Sequence, residues 1–201
     1  QCHPAPYLTV MDWGHDERDF AAGHADRAPR LGPGAWAGMM ATIRAIATVA
    51  RDEFGVRAVV HPHAGGYIEF RDEIDRLAAD IPADVAGFCI DTGHSYYAGM
   101  DSLDALRRYW DRIDYIHFKD IDRAVFDRVM GERIRFFEAC AQGVMCPIGR
   151  GVIDYPAIRT FLTERGYAGF ITVEQERDPR NADGSLADVK ACTCGAAPGR
   201  S

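Results

Sequence analysis

Four apolar segments of the sequence run directly into side chains that can bind a metal ion or transfer a proton. The segments and the residues that follow them are Val56–Val60 before His61 and His63, Val85–Ile90 before Asp91 and His94, Ile113–Ile116 before His117 and Lys119, and Phe170–Val173 before Glu174. Four of the seven histidines fall in these short stretches. If each histidine had an independent structural role, this concentration at the strand ends would not be expected. Polar groups at the carboxyl ends of apolar strands are typical of active sites in parallel α/β folds.

Two imidazoles and two carboxylates brought to one point would form a site for a divalent metal ion. The predicted ligands are His61 or His63, then Asp91, His117 and Glu174. This mixed set of nitrogen and oxygen donors suits Mn, Co, Mg, Zn or Fe(II) rather than a soft-metal thiolate site. Taken singly, each residue has a structural alternative, since Asp91 can cap a helix and Glu174 can pair with Arg177.

Two further charged residues lie close to these strand ends. Lys119 can stabilise an enolate or bind a hydroxyl group, or it can form a surface salt bridge with Asp120 or Asp122. Glu69 follows a Gly-Gly pair in a predicted loop and can act as an acid, a base or a hydroxyl acceptor. Its structural alternative is a solvated position in the first turn of the next helix.

The elements that would position these residues alternate between strand and helix. The predicted strands are Tyr7–Met11, Val56–Val60, Val85–Ile90, Ile113–Phe118, the weaker Val144–Pro147, and Phe170–Val173. The predicted helices are Trp36–Phe54, Arg71–Ala79, Ser102–Arg112 with Ser102 as N-cap, Asp122–Ala141 with a break at Gly131, and Tyr155–Glu164. Residues 12–34 read as a loop, which can form a lid or a subunit contact in a homo-oligomer. Such alternation predicts a parallel sheet of about six strand-helix units.

Composition limits the classes of function that the chain can serve. Its 201 residues, 47% hydrophobic and 26% charged, are typical of one globular domain. A net charge of -7 disfavours nucleic-acid binding, which requires a basic surface. No apolar run approaches the ~20 residues of a membrane span, and no signal peptide is visible, so we expect a cytoplasmic protein with reduced cysteines and no membrane partner. Residues 180–201 are expected to form a C-terminal helix and a flexible tail.

Longer motifs around the strand ends resemble the sugar phosphate isomerase/epimerase superfamily. They are His61-Pro-His63-Ala-Gly65, Asp91-Thr-Gly-His94, His117-Phe-Lys119-Asp120, Gly149-Arg-Gly151-Val-Ile-Asp154 and Val173-Glu174-Gln175. Each motif is weak alone, but together they are specific and span Tyr7 to Pro179. Within the superfamily, the pattern is most similar to the inosose dehydratases.

The resemblance implies a fold and a set of site residues. The implied fold is a (β/α)8 TIM barrel of the xylose isomerase-like type, here a single partial domain over residues 1–201 that lacks the first two β/α units. One divalent metal (Mn, Co, Mg or Zn) would be held by His61 or His63, Asp91, His117 and Glu174. The expected catalytic residues are Glu174, His63, Glu69 and Lys119, and the expected substrate contacts are His94, Lys119 and Arg177.

The implied activity is proton abstraction next to the carbonyl group of a sugar- or inositol-derived ketone. In a dehydratase, loss of a neighbouring hydroxyl group follows. A ketose isomerase or a 3-epimerase would share the same first step and is an alternative. A non-catalytic truncated barrel is a second alternative. A nuclease of the AP endonuclease type is disfavoured, because the second Asp-x-His motif of those enzymes is missing before Gly149.

Overall fold

Seven strands form two sheets in the computed structural model, which describes residues 7–12 and 14–176. The strands are β1 (Tyr7–Val10), β2 (Arg57–Val60), β3 (Gly87–Asp91), β4 (Ile113–Phe118), β5 (Asp120–Ile121), β6 (Met145–Cys146) and β7 (Phe170–Val173). Five of them form a parallel sheet in the order β1-β2-β3-β4-β7, while β5 and β6 form an antiparallel pair. The expectations for Arg177 and for residues 180–201 lie outside the described residues.

Eight α-helices connect and cover the strands in the described part of the chain, and a 3-10 helix (Trp110–Arg112) precedes β4. The α-helices are α1 (Asp16–Asp19), α2 (Pro33–Phe54), α3 (Arg71–Asp80), α4 (Thr92–Tyr97), α5 (Ser102–Arg108), α6 (Arg123–Glu132), α7 (Phe136–Ala141) and α8 (Tyr155–Glu164). Within those same residues, no helix combines the length and the apolar character that crossing a membrane requires.

Strand residues alternate between two faces of the parallel sheet. One face carries Val60, Phe88, Ile90 and Ile116, which pack with residues of α2, α3, α5 and α8 in the main hydrophobic core. Because side chains on a strand alternate, the neighbouring positions point to the opposite, concave face. That face includes the four strand-end residues predicted to bind a metal, so the helical layer lies behind the candidate site.

The parallel sheet is strongly curved. Tyr7 on edge strand β1 stacks on Tyr115 of β4 with ring centroids 5.4 Å apart. Its ring also meets Phe170 on the opposite edge strand β7 edge-on, at a centroid distance of 6.5 Å. The sheet therefore curls like part of a barrel wall, with aromatic rings filling its concave side. Its five strands are fewer than the eight that close a TIM barrel.

The structure corrects four segments predicted from the sequence. The predicted strand at Val144–Pro147 does not join the parallel sheet, because β6 pairs antiparallel with β5 and β4 pairs directly with β7. Asp101, not Ser102, caps α5 by accepting the Asp104 amide, and α5 ends at Arg108. The predicted helix over Asp122–Ala141 breaks at Arg133, which adopts the left-handed conformation, and not at Gly131. The predicted loop over residues 12–34 contains the short helix α1 and the start of α2.

Candidate metal centre

Four residues from neighbouring strand ends converge on the concave face of the sheet. They are His61, Asp91, His117 and Glu174, and each offers one ligand atom within 4.8 Å of the others. The register places Asp91 of β3 directly beside His117 of β4. Glu174 follows β7, and its amide donates to the Phe118 carbonyl at 3.0 Å. The sheet itself therefore fixes the backbone of this four-residue set.

His61 presents its Nε2 lone pair because its other ring nitrogen is engaged. His61 Nδ1 lies 3.2 Å from the Cys89 carbonyl oxygen, which can only accept, so Nδ1 must carry the proton. Such a second hydrogen bond is typical of metal-binding histidines. Burial, assisted by the Lys119 charge, lowers the pKa of His61 well below its usual value. The imidazole is therefore neutral, as a metal ligand must be.

His63 belongs to a second group that lies beside the four-residue set. Its Nδ1 lies 2.8 Å from the Ala64 carbonyl, and its ring lies 3.8 Å from the His94 ring, centroid to centroid. Its Nε2 faces Glu176 Oε1 at 3.9 Å. His61, His63 and His94 also offer ligand atoms within 4.8 Å of one another. The structure thus brings His61 to Asp91, His117 and Glu174, and brings His63 to His94 and Glu176.

His94 has the opposite tautomer to His61. The Ala64 amide donates to His94 Nδ1 at 3.3 Å, so the proton of the neutral ring lies on Nε2. His94 Nε2 is buried, has no hydrogen-bond partner among the described residues and lies 3.7 Å from Glu176 Oε1. Burial is the main cause that lowers the pKa of His94 to about 3. His94 is therefore a neutral hydrogen-bond donor, which argues against it as a metal ligand.

His117 and Glu174 face each other at the edge of the four-residue set. His117 Nδ1 lies 3.3 Å from Glu174 Oε2, but the two atoms are not aligned for a hydrogen bond, and within the described residues this buried nitrogen has no other partner. Burial alone would raise the pKa of Glu174, but His117 and Lys119 outweigh it and hold that pKa well below its usual range. The carboxylate is ionised, and a cation would satisfy the neighbouring nitrogen.

Lys119 lies among three carboxylates and is fully buried. Its Nζ donates to Asp91 Oδ2 at 3.0 Å, hydrogen-bonds Glu174 Oε2 and lies 3.4 Å from Glu176 Oε1. Burial lowers the pKa of Lys119, but these carboxylates outweigh burial and raise it above the usual value. The alternative considered from the sequence, a surface salt bridge with Asp120 or Asp122, is therefore wrong, because Lys119 is buried and pairs with other carboxylates.

Asp91 both caps a helix and lies in the four-residue set, two positions that the sequence left as alternatives. Its Oδ1 accepts the His94 amide at 2.8 Å and caps α4, while its Oδ2 faces Lys119. Gly93, in the first turn of α4, makes room for the lysine, because a Cβ there would lie 2.6 Å from Lys119 Cβ. The Asp-Thr-Gly-His segment is therefore shaped to fit the Lys119 stem.

Glu69 is buried in a loop, but its described contacts lie outside the four-residue set. It accepts the Gly23 amide at 2.7 Å and the Gly65 amide at 3.0 Å, and Arg18 lies beside it. Burial outweighs these contacts and raises its pKa to about 7. The predicted catalytic role stays a prediction, and the solvated alternative is wrong because Glu69 is 2% exposed.

Glu176 is a site residue to which sequence reasoning gave no role. It lies near His63, His94 and Lys119, and it accepts a hydrogen bond from the Cys140 thiol at 3.2 Å. Burial raises its pKa, but His63, His94 and Lys119 together lower it well below the usual range. The signal was present in the sequence, because Glu176 is two residues from Glu174 and such positions share a face in an extended chain.

The donor set fits a divalent cation. His61 Nε2, an oxygen of Asp91, His117 and an oxygen of Glu174 supply two nitrogen and two oxygen donors. This donor set suits Mn, Co or Zn better than it suits Mg, which prefers a site made only of oxygen ligands. The buried His117 Nδ1 without a hydrogen bond supports the same reading.

Comparisons with known proteins agree with the fold. Residues 5–192 match the family model described as xylose isomerase-like TIM barrel. An inosose dehydratase from Geobacillus kaustophilus is 37% identical over 150 residues, and one from Lacticaseibacillus casei is 32% identical over 180. The matches cover 75% and 89% of this chain but only 48% and 60% of those relatives, so the chain spans about half of their length.

Solved structures show the same fold at low sequence identity. A probable 3-DHS dehydratase, AsbF from Bacillus anthracis, aligns with a TM-score of 0.64 and 18% identity, covering 92% of this chain and 63% of that one. The IolI protein with a bound zinc atom aligns with a TM-score of 0.57 and 16% identity, covering 77% and 52%. Together with the family match, these likenesses show that the chain belongs to the xylose isomerase-like TIM barrel family.

Proposed function

We propose that this chain provides the metal site of an enzyme that dehydrates a sugar- or inositol-derived ketone, as an inosose dehydratase does. The observation that carries the proposal is the convergence of His61, Asp91, His117 and Glu174 within 4.8 Å at neighbouring strand ends. Curated relatives at 28–37% identity are named inosose dehydratase, and the related IolI structure contains zinc, which supports both the reaction and a divalent metal.

The proposed roles follow from the protonation of the site residues. The neutral imidazole of His61 and the ionised carboxylate of Glu174 would hold the cation together with Asp91 and His117. A bound divalent cation would supply Lewis acidity toward adjacent oxygens of the substrate. The ammonium of Lys119 would stabilise negative charge on a substrate oxygen, because buried charges act strongly in a site that excludes water.

Dehydration requires one group to remove a proton beside the carbonyl and another to protonate the departing hydroxyl. Glu174 is our candidate for the base. His63, whose Nε2 faces the site near Glu176, is our candidate for the acid. Glu69, with a pKa of about 7, can carry a proton near neutral pH and is the second candidate for that step. His94 Nε2 would donate a hydrogen bond to a substrate hydroxyl, and Arg177 stays a predicted substrate contact.

Turnover assays test the reaction class. The chain, loaded with Mn or Co, is incubated with inosose and with a panel of ketoses, and products are identified by NMR. A dehydrated product from inosose supports the proposal. Epimerised or isomerised ketoses would instead indicate the isomerase or 3-epimerase alternative. Metal binding without turnover would favour a non-catalytic chain, and tight DNA binding with a steep salt dependence would favour a nuclease.

Thermal melts test the metal ligands separately from turnover. A cation at 100 times its Kd stabilises the protein by about 2.7 kcal/mol. We expect His61→Ala, His117→Ala and Glu174→Ala to abolish this gain, and the matched control His63→Ala to keep most of it. If His63→Ala loses the gain and His61→Ala retains it, the ligand assignment is reversed. An unchanged metal response in all four variants would overturn the site.

A further inference from the structure

Lys119 makes its shortest contacts with two of the four residues that would bind the cation. Its Nζ donates to Asp91 Oδ2 at 3.0 Å and to Glu174 Oε2. Asp91 Oδ1 already accepts the His94 amide at 2.8 Å, so Oδ2 is the oxygen best placed for a metal ion. An ammonium group and a divalent cation would therefore seek the same two carboxylates and would repel each other.

A third carboxylate lies within reach of the same ammonium but outside the four-residue set. Glu176 Oε1 is 3.4 Å from Lys119 Nζ. The same oxygen lies 3.9 Å from His63 Nε2 and 3.7 Å from His94 Nε2, so Glu176 is positioned by groups that do not belong to the four-residue set. It can thus take over the ammonium after a small rotation of the lysine side chain.

The fold limits Lys119 to this exchange. Its backbone is fixed by Thr92 Oγ1, which accepts the Lys119 amide at 3.0 Å, and by Tyr155, whose hydroxyl donates to the Lys119 carbonyl at 2.8 Å. Its stem passes over Gly93, where no Cβ could fit. Because the side chain has no solvent exposure, the ammonium cannot leave for water and must keep a carboxylate partner.

We propose that Lys119 competes with the divalent cation for Asp91 and Glu174, and that Glu176 receives the ammonium when the cation binds. This inference rests on the proposed metal site and adds to it a residue pair that sets metal affinity. Lys119 is a competitor for the ligands, and Glu176 is a positioning residue that acts through Lys119. Neither residue needs to contact the cation for this role.

Calorimetric titration of Mn into the full 201-residue chain at fixed pH tests the inference. Lys119→Met and Lys119→Gln remove the competitor, so we expect Mn to bind at least about tenfold more tightly in both. Glu176→Gln removes the alternative partner, so Mn binding should weaken about tenfold. In the double variant Lys119→Met/Glu176→Gln, the second substitution should have little further effect, because the two residues act through one ion pair.

Matched controls separate competition from a general change of charge. Arg57→Met removes one cation from the opposite end of the sheet, where Arg57 pairs with Asp114 at 2.6 Å. Glu138→Gln removes one anion from the surface of α7, where Glu138 contacts Gln142. Both controls should leave Mn affinity within about twofold of the unsubstituted chain.

The outcomes distinguish failure of this inference from failure of the metal site. Weaker or unchanged Mn binding in the Lys119 variants overturns competition, because a lysine that orients the ligands would lower affinity when removed. If Glu176→Gln weakens Mn binding equally in the unsubstituted chain and in the Lys119→Met variant, Glu176 does not act through Lys119 and its proposed role is wrong. If neither Lys119 variant folds, unchanged affinity in Glu176→Gln overturns the inference by itself. Absence of Mn binding in the unsubstituted chain and in every variant overturns the proposed function.

Discussion

Single hydrogen bonds give the buried histidines of this site different chemistry. The Cys89 carbonyl fixes the proton of His61 on Nδ1, whereas the Ala64 amide fixes that of His94 on Nε2. Two residues of the same type, with ring centroids 5.4 Å apart, are therefore a potential metal ligand and a hydrogen-bond donor. The backbone groups that face each ring, and not residue type, decide which role is available.

Burial of neutral His94 predicts acid sensitivity. Its pKa is lowered to about 3 by burial, while a histidine in the unfolded chain titrates near 6.5. The unfolded state therefore binds more protons, and the contribution to stability, full above pH 6.5, is lost as pH falls below that value at up to ~1.4 kcal/mol per unit. When the pH falls from 7.0 to 5.5, the free energy of unfolding should therefore decrease by roughly 1 kcal/mol less in His94→Gln than in the unsubstituted chain.

Urea unfolding in EDTA at the two pH values measures this difference. The matched control is His15→Gln, since the His15 side chain is 56% exposed. An equal loss of unfolding free energy in His94→Gln and the unsubstituted chain would mean that His94 accepts a proton in the folded protein.

The sequence was sufficient to predict that Asp91, His117 and Glu174 lie close together but not to choose between His61 and His63. Strand-end position predicts the first three, because parallel strands bring their carboxyl ends to one edge of the sheet. His61 and His63 both follow β2, and only the turn after the strand decides which ring faces Asp91. Glu176 could have been found by alternation from Glu174, whereas the tautomers depend on backbone groups distant in sequence.

At the scale of elements, Asp120 fixes the Gly-rich segment that follows β6. This fully buried carboxylate accepts the amides of Gly149, Gly151 and Ile153 at 2.8, 3.0 and 3.0 Å. Gly151 allows the close approach, because a Cβ there would lie 2.2 Å from Asp120 Oδ1. The segment thus uses its amides to hold a carboxylate, a purpose that its Gly-Arg-Gly pattern alone could not specify.

Replacing Asp120 should loosen this segment more than replacing an ordinary helix cap. Asp120→Asn turns one acceptor oxygen into an NH2 group that faces backbone donors, at a cost of roughly 3 kcal/mol. Asp122→Asn, which keeps an acceptor oxygen for the single N-cap bond of α6, should cost less than about 1 kcal/mol. Denaturant unfolding gives both values, and hydrogen exchange at Gly149, Gly151 and Ile153 locates the effect. Equal destabilisation by the two variants would contradict this account of Asp120.

Strand prediction succeeded for the strands of the parallel sheet and failed for the short strand outside it. The predicted Val85–Ile90 and Ile113–Phe118 segments correspond to β3 and β4 to within two residues. Val144–Pro147 also looked like a strand of the sheet, but only Met145 and Cys146 are extended, and they pair with β5. A local apolar pattern cannot reveal which neighbour a short strand will choose, since that choice depends on contacts distant in sequence.

At the scale of the whole molecule, the curved sheet has two edges without a strand partner among the described residues. Beside β1, an apolar groove of about 470 Å³ is lined by Leu8, Ala45, Ile46, Val49, Ala50, Phe54 and Val56. Leu8 is 41% exposed and Phe54 is 71% exposed, while Ile171 on the opposite edge strand β7 is 41% exposed. Unpaired strand edges with apolar side chains favour pairing with another chain.

We therefore expect the chain to self-associate, in line with the homo-oligomer considered from the sequence. We also expect that lysine substitutions on the edge strands reduce this association. Leu8→Lys and Ile171→Lys place a charge on β1 and β7, which is how natural sheets protect their edges. Sedimentation velocity at several protein concentrations should show each variant shifted toward monomer. Phe137→Lys is the matched control, because Phe137 is 53% exposed on α7 and lies on neither edge. A monomeric unsubstituted chain at the highest concentration, or an equal shift in the control, would show that the edges do not drive association.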